Sequence, residues 1–269
     1  MKKNPLAEVF GFPTDSQSQD AKRYRKNRLC PYNNRVPSCT KDKANDPLGV
    51  CSIYEDDNAT IVCPIRFRQN WLVAENAAEF FFPENANWTS LTEVRLNDKN
   101  GQSAGNIDVV LVSYNDRGKV TDFGALEVQA VYISGNVRRP FEQYMKEPTK
   151  PFDWSDCPSP DYLSSSRKRL VPQLLYKGGI LNTWGKKMAV AIDSGFYATL
   201  PKLPEVTPSK ADIAWLVYDF VLDRSTDKFK LRLARTAYTQ FEKIARVFGC
   251  IGATSGVYAN TLLEIGALA

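Results

Sequence analysis

Three β-prone runs separated by short turns lie between residues 92 and 133. "TEVRL" (92–96) alternates apolar and polar residues, "NIDVVLVSY" (106–114) is mostly apolar, and "KVTDFGALEVQAVYI" (119–133) is the longest run. The segments between them, "NDKNGQSAG" and "NDRG", are rich in Asn, Asp and Gly, which are typical of tight turns. This pattern predicts three consecutive antiparallel strands, and such a meander constrains the fold more than any other feature of the chain.

Acidic and amide side chains interrupt two of these strands. Asp108 lies inside the second run, and Glu127 and Gln129 lie inside the third. Because residues two apart on a strand share a face, Glu127 and Gln129 point the same way. Pairing through the "NDRG" turn can bring Asp108 close to Glu127, and two adjacent carboxylates either share a cation or keep a proton. Mg²⁺ prefers such oxygen ligands; the simpler interpretation is a polar strand face turned to solvent.

Further strands and a helix follow this meander. Residues 140–162 are rich in Pro, Asp and Ser and are predicted to be a loop or insertion. "SSSRKRLVPQLLYKGGIL" (164–181) predicts a helix, with Pro172 in its first turn or at a kink. "KMAVAIDS" (187–194) and "DIAWLVYDFVLD" (212–223) predict two more strands.

The last predicted element is a helix over residues 226–249, with Gly249 as its C-cap. Its apolar residues recur at spacings of three and four: Phe229, Leu233, Ala237, Phe241, Ile244 and Phe248. This face belongs either to the core or to a dimer interface. The order of elements predicts an α/β fold, a mixed sheet flanked by helices. We expect residues 1–75 to form an N-terminal arm with a loop-rich cysteine segment, and residues 76–269 to form the main domain with its C-terminal helix.

Four of the six cysteines fall in the loop-rich N-terminal part of the chain. They are Cys30, Cys39, Cys51 and Cys63. Clustered thiols of this kind favour a closed tetrahedral metal site, which would be structural and would hold zinc or iron. Free thiols and disulfides remain alternatives, since the compartment is inferred. Cys157 and Cys250 are isolated and are interpreted as ordinary reduced thiols.

The chain contains no histidine. This excludes Ser-His-Asp and Cys-His catalysis and every metal site that needs imidazole. There is no phosphate-binding G-x-x-x-x-G-K-S/T loop and no G-x-G-x-x-G turn, so nucleotide-binding folds are not indicated. The net charge of +5 is compatible with a nucleic-acid partner. Without an apolar run of about 18 residues or a secretory leader, we expect an intracellular protein with no membrane contact.

The arrangement Asp108…Glu127-x-Gln129 resembles the core of the PD-(D/E)XK nucleases, with glutamine where those enzymes carry lysine. Combined with the cysteine segment, the chain resembles the NotI-type type II restriction endonucleases. The resemblance rests on "FGFP" (10–13), the four cysteines with Pro31 and Pro64, "NIDVV" and "GALEVQAV", and it continues through the predicted helix and the two later strands.

The resemblance implies a PD-(D/E)XK restriction-endonuclease-like fold and a Mg²⁺-dependent nuclease. Glu93, Asp108 and Glu127 would hold Mg²⁺, and Gln129 would orient the attacking water. It further implies a homodimer that cuts double-stranded DNA at a short palindromic, GC-rich site. The four cysteines would bind structural iron or zinc. The host would be prokaryotic, with the enzyme in its cytoplasm and a cognate DNA methyltransferase alongside.

Basic clusters are candidates for phosphate binding, although a solvated surface is the ordinary role of such residues. The candidates are the run at 21–28, Arg138, Arg139, Arg167, Lys168, Arg169, Lys186 and Lys187. An alternative function is a non-catalytic, sequence-specific DNA-binding protein with a structural four-cysteine metal site. A third is a secreted, disulfide-stabilised binding protein, which the sequons at Asn58 and Asn87 would suit.

Overall fold

The computed structural model describes residues 4–43, 45–98, 100–150 and 157–252. Its strands are β1 (Leu6–Val9), β2 (Phe12–Pro13), β3 (Asp42–Lys43), β4 (Asp46–Pro47), β5 (Val50–Glu55), β6 (Asn58–Ile61), β7 (Asn87–Asn97), β8 (Ser103–Tyr114), β9 (Val120–Gln129), β10 (Tyr132–Ser134), β11 (Ser159–Asp161), β12 (Met188–Asp193), β13 (Ile213–Asp223) and β14 (Lys228–Thr239). Its α-helices are α1 (Gln19–Lys26), α2 (Leu72–Phe81), α3 (Arg138–Lys146), α4 (Tyr162–Ser165), α5 (Val171–Thr183), α6 (Ser194–Ala198) and α7 (Phe241–Gly252). No helix in these ranges is both long enough and apolar enough to cross a membrane.

A six-stranded mixed sheet forms the centre of the molecule, in the order β14-β13-β12-β9-β8-β7. Strand β12 runs parallel to β9 and β13, whereas the other neighbours pair antiparallel. One face packs on α5 and α7, and the opposite face packs on α2. The predicted mixed sheet flanked by helices is therefore confirmed, as is the meander β7-β8-β9.

The predicted helix over residues 226–249 is wrong in its first half. Residues 228–239 form β14, which pairs with β13 from Asp223 opposite Lys228 to Ile213 opposite Thr239. The apolar spacing fits a helix, but the hairpin with β13 satisfies the backbone of this segment and overrides the local pattern. Helix α7 begins at Phe241 and runs past Gly249, which is therefore not its C-cap.

The described part of α7 belongs to the core. Ile244 and Phe248 are buried against the sheet in the same cluster as residues of α5. Of the two roles considered for this apolar face, core packing is therefore the one observed. The predicted loop at 140–162 is also partly wrong, because α3 covers 138–146 and buries Phe141 and Tyr144. Residues 151–156 lie outside the described ranges.

The sequence predicts a loop-rich N-terminal segment, but the structure shows regular strands in much of it. It contains a four-stranded antiparallel sheet in the order β2-β1-β5-β6. Its apolar side chains pack with Phe141 and Tyr144 of α3. Sequence patterning missed these strands because β1 and β2 are short and wholly buried, so they show no alternation of polar and apolar residues.

A buried ion pair joins the N-terminal sheet to the central sheet. The Arg66 Nε lies 3.0 Å from Glu8 Oε2, and both side chains are fully buried. Another Arg66 nitrogen donates to the backbone carbonyl of Phe229 in β14, at 2.6 Å. The guanidinium also lies over the rings of Tyr32 and Phe220, at 4.1 and 4.7 Å from their centroids. One arginine side chain therefore connects β1, the cysteine segment and the start of β14.

The carboxyl group of Asp193, at the end of β12, makes stability depend on pH. It is buried and caps α6 by accepting hydrogen bonds from the backbone N–H groups of Gly195 and Phe196, at 2.9 and 3.3 Å. Burial raises the pKa of Asp193 to about 6, and the carboxylates of Asp219 and Glu55 add to the rise. The folded chain therefore keeps a proton that the unfolded chain releases from a pH of about 4 upwards.

Consequently the contribution of Asp193 to stability is complete at low pH and is lost as pH rises through about 6. Asp193→Asn can still cap α6. Because its amide does not titrate, the variant does not lose stability from this position as pH rises. Relative to this variant, the wild type should lose stability on the order of 3 kcal/mol across that pH window. Urea unfolding of both proteins at several pH values measures the difference. Parallel pH profiles would contradict the assignment.

Candidate active site

Strands β8 and β9 bring the two central acids together. Their antiparallel ladder pairs Val109 with Leu126, so Asp108 and Glu127 are the next residues in register. The Oδ2 atom of Asp108 accepts a hydrogen bond from the backbone N–H of Val128 at 2.8 Å. Glu127 is 4% exposed. The predicted proximity of the two acids is confirmed, and Glu127 is not a solvent-facing polar residue.

A lysine that the sequence did not predict forms an ion pair with Glu127. The Nζ of Lys177, on α5, lies 2.9 Å from both Oε1 and Oε2 of Glu127. The same ammonium donates to the backbone carbonyl of Asn106, at 2.6 Å, and the lysine side chain is buried. A signal was present in the sequence, because Lys177 interrupts an apolar helix face that includes Leu174 and Leu181.

The two carboxyl groups are short of positive charge. Burial, together with the charge of Asp108, raises the pKa of Glu127 to about 7 against the opposing effect of Lys177. Burial also raises the pKa of Asp108, against the opposing effects of the Val128 N–H and Lys177. When both carboxyl groups are ionised, the single ammonium leaves a net negative charge, which favours a further cation.

Glu93 reaches the neighbourhood of Asp108 from the edge strand β7. The ladder pairs Thr92 with Val109 and Val94 with Ile107, which leaves Glu93 opposite Asp108. Its backbone has φ of +56°, a left-handed conformation that is uncommon for such a residue. The Glu93 carboxylate is exposed and lies 3.7 Å from an Arg35 nitrogen.

A cavity of about 690 Å³ opens beside these acids. Glu93 and Asp108 are among the described residues that line it, whereas Glu127 and Gln129 are not. Glu127 instead faces α5, and the Gln129 Nε2 donates to the carbonyl of Ala130 at 2.7 Å. The predicted quartet is therefore divided between an open cavity and the buried ion pair with Lys177.

Other residues of the cavity wall were not predicted. Arg35 and Arg68 bring positive charge, and Trp71 brings an exposed aromatic ring. Asn70 and Trp71 both have positive φ values, +51° and +60°, at the end of a 3-10 helix. Nothing in the sequence pattern distinguishes these residues from ordinary surface positions. Their placement supplies the cationic and stacking groups that contact nucleic acids in other proteins.

The donor chemistry at the acids fits Mg²⁺, since carboxylate oxygens are its usual protein ligands. The described arrangement is not itself a coordination shell: within the described ranges, no three Cys, Asp or Glu side chains are placed to hold a metal ion. Both oxygens of Glu127 contact the Lys177 ammonium, so this ammonium lies where a metal ion bound to Glu127 would lie.

The four N-terminal cysteines are neighbours with no disulfide among them. Cys39, Cys51 and Cys63 are buried, and Cys30 is half-buried. Burial raises the pKa of the Cys30 thiol to about 11, and the nearby Cys63 and Cys39 add to the rise. The pKa of Cys51 is also raised by burial, with Cys63 and Cys30 among the further causes. Soft sulfur donors thus lie close together, although no three of them in the described ranges are placed to bind one metal ion.

The sequence contains two further cysteines, Cys157 and Cys250. Cys157 is half-buried. The side chain of Cys250 lies outside the described residues. The prediction that both are ordinary reduced thiols therefore stays a prediction.

The predicted DNA-binding basic residues differ in how they are engaged. Arg138 contacts Asp42 and Asp46 at 2.5 and 2.8 Å, so its charge is largely used within the protein. The Lys186 ammonium lies 2.6 Å from an Asp122 oxygen. The Lys187 ammonium donates to the Phe80 carbonyl, at 2.9 Å. Exposed basic side chains remain at the π-helical turn before α5: Arg167, Lys168 and Arg169.

The sequence matches a known protein family. The family model described as Restriction endonuclease NotI matches residues 15–231 of the chain. The matched span contains the four clustered cysteines, the strands that carry Glu93, Asp108 and Glu127, and the helix that carries Lys177. A search among curated proteins finds no match.

Proposed function

The chain belongs to the NotI family of type II restriction endonucleases, which are site-specific deoxyribonucleases, and we propose that it cuts DNA at the cavity lined by Glu93 and Asp108. The observation that carries this proposal is the Asp108–Glu127 pair at the open end of the β8–β9 hairpin, where Glu127 is buried and Asp108 is half-buried. Structural roles rarely need two desolvated carboxylates side by side, because the charge costs stability.

We propose that Glu93, Asp108 and Glu127 hold Mg²⁺ during cleavage. Bound Mg²⁺ would polarise the phosphoryl oxygen and make a coordinated water more acidic. For Glu127 to contribute an oxygen, its bidentate contact with Lys177 must loosen on one side. Gln129 would accept a hydrogen bond from the attacking water through its side-chain carbonyl, after its amide leaves Ala130. These roles assign metal binding to Glu93, Asp108 and Glu127 and orientation of the water to Gln129, on the three adjacent strands β7, β8 and β9.

The substrate in this proposal is double-stranded DNA with a short palindromic, GC-rich site. A palindrome pairs naturally with a two-fold symmetric homodimer. Arg35, Arg68 and Trp71 line the wall on which a strand could lie, and exposed basic residues at 167–169 would add phosphate contacts. We expect the enzyme to act in a prokaryotic cytoplasm beside a methyltransferase that protects the same site.

The test incubates the protein with plasmid and phage DNA, with and without Mg²⁺. Discrete fragments that appear only with Mg²⁺ are the expected result. Smeared products would contradict site specificity, and discrete fragments in the presence of a chelator would contradict the role of Mg²⁺. Intact DNA that still binds the protein would favour the alternative, a sequence-specific DNA-binding protein without catalysis.

We also propose that the four clustered cysteines bind one structural zinc or iron ion. Their mutual proximity, their burial and the absence of disulfides among them support this proposal. Such an ion would link the loop of Cys30 and Cys39 to strand β5 and the start of the following 3-10 helix. X-ray fluorescence of the purified protein distinguishes iron from zinc, and a metal-free, folded and active protein would refute the proposal.

A further inference from the structure

We propose that Lys177 is the positioning cation of the nuclease site, which fixes Glu127 in the absence of metal and supplies the positive charge that the strand lacks at residue 129. This inference rests on the proposed function, because it assigns Lys177 a part in the same cleavage reaction. It is carried by contacts that join α5 to the acids of β8 and β9.

The Lys177 ammonium has a complete set of partners. Its three N–H groups meet three acceptors: both oxygens of Glu127, at 2.9 Å, and the Asn106 carbonyl, at 2.6 Å. The side chains of Lys177 and Glu127 are 6% and 5% exposed. A buried lysine that satisfies every donor on one carboxylate and one backbone carbonyl is held in a single place.

The surroundings of α5 keep the ammonium at this position. A β-carbon on Gly178, the next residue, would approach the Phe241 ring of α7 to 3.1 Å, so the two helices pack closely here. On the other side, Gly105 of β8 has φ of +93°, and its missing β-carbon would lie 3.7 Å from the Lys177 Cε. Close packing against α7 thus holds α5 in place, and the Lys177 stem passes close to Gly105 of β8.

The charge balance explains what this lysine does. Asp108 and Glu127 bring two carboxyl groups, and Gln129, on the same face as Glu127, is neutral and donates to Ala130. Of these four residues, Lys177 alone carries positive charge, and its effect reaches Asp108 as well as Glu127. The Lys177 ammonium therefore pairs with Glu127 when no metal ion is bound, and it stays beside the carboxylates when a metal ion binds.

The test compares Lys177→Gln with the wild type, since glutamine keeps hydrogen-bond donors near Glu127 but removes the charge. In Mg²⁺, we expect kcat to fall about 10- to 100-fold, as for supporting residues of metal sites. KM for DNA should change less than about threefold, because Lys177 is buried away from the substrate surface. Ca²⁺ serves as a metal probe in titration calorimetry without DNA, and Lys177→Gln should bind it at least about tenfold more tightly, because a competing cation has been removed.

The opposite movement of kcat and Ca²⁺ affinity distinguishes this role from a merely structural one. If both fall together with the melting temperature, Lys177 only stabilises the fold and the inference is refuted. Unchanged kcat in a folded Lys177→Gln protein also refutes it. If that variant does not fold, Lys177→Arg replaces it: cleavage within about tenfold of wild type, at wild-type Ca²⁺ affinity, supports a positioning cation. Loss of cleavage in a folded Lys177→Arg protein overturns it.

One control variant and the activity of the wild type keep the inference separate from the proposed function. Lys150→Met removes an exposed lysine that pairs with Glu147 at 2.8 Å, and it should leave kcat and Ca²⁺ binding unchanged. If the wild type itself cuts no DNA in Mg²⁺, the proposed function fails, whereas a wild type that cuts as well as Lys177→Gln refutes only the role of Lys177.

Discussion

Replacing Glu127 by glutamine is expected to abolish DNA cleavage while leaving DNA binding intact. The amide keeps the size of the side chain, and its oxygen can still accept a hydrogen bond from Lys177, which lies 2.9 Å from the carboxylate. It loses the negative charge that a bound cation needs. Loss of several kcal/mol of transition-state stabilisation lowers the single-turnover rate roughly a thousandfold. Gel-shift titration with a duplex carrying the cleavage site should give a dissociation constant close to that of the wild type.

Glu205→Gln is the matched control for this variant. It removes a carboxylate that also contacts a basic side chain, since both oxygens lie 2.8 Å from an Arg235 nitrogen, but on the exposed surface. Its cleavage rate should equal that of the wild type. Full cleavage by Glu127→Gln in Mg²⁺ would remove Glu127 from the active site. The alanine variant should also be inactive, but it leaves the Lys177 ammonium buried without its partner and confounds activity with stability.

The second large effect is on stability. Arg66→Met should lower the free energy of unfolding by about 3–5 kcal/mol, because it leaves the Glu8 carboxylate buried without its cation. It also removes the donor to the Phe229 carbonyl and the contacts with two aromatic rings. Urea unfolding monitored by tryptophan fluorescence measures the change.

Two further variants test whether the loss of stability comes from leaving Glu8 buried without its cation. Arg232→Met removes an exposed partner of Asp219, at 2.8 Å, and should cost less than about 1 kcal/mol. The double variant Glu8→Leu with Arg66→Met should recover much of the loss, because no charge remains buried. If the Arg66→Met protein is as stable as the Arg232→Met protein, the buried pair between the two sheets does not contribute to the free energy of unfolding.

The parts of the site that could be predicted from sequence are those set by local pairing. Tight turns fixed the β8–β9 register, so the spacing of Asp108 and Glu127 along the chain was enough to bring them together. The mixed sheet followed from β-prone runs that alternate with a helix. The chemistry of the acids also followed, because a carboxylate inside an apolar strand requires a positive partner.

The position of Lys177 on an apolar helix face indicated a buried charge, but the acid that it pairs with could not be predicted, because the pairing depends on tertiary packing. Lys177 is 50 residues from Glu127, and only the packing of α5 on the sheet brings them into contact. Strand β14 was missed for a similar reason: its apolar spacing fits a helix, and pairing with β13 decides otherwise. The strands of the N-terminal sheet are short and buried, so neither period of hydrophobicity is visible in them.

The mixed sheet order also sets when the site becomes complete during folding. The Asp108 contact with Val128 closes a loop of 20 residues within a hairpin, whereas the Lys177 contact with Glu127 spans 50 residues and needs α5 to dock beside the parallel strand β12. The longer closure costs only about 1 kcal/mol more in chain entropy, but non-local contacts form more slowly than hairpins. We therefore expect the two acids to meet before Lys177 reaches Glu127, which makes this ion pair a late marker of native structure.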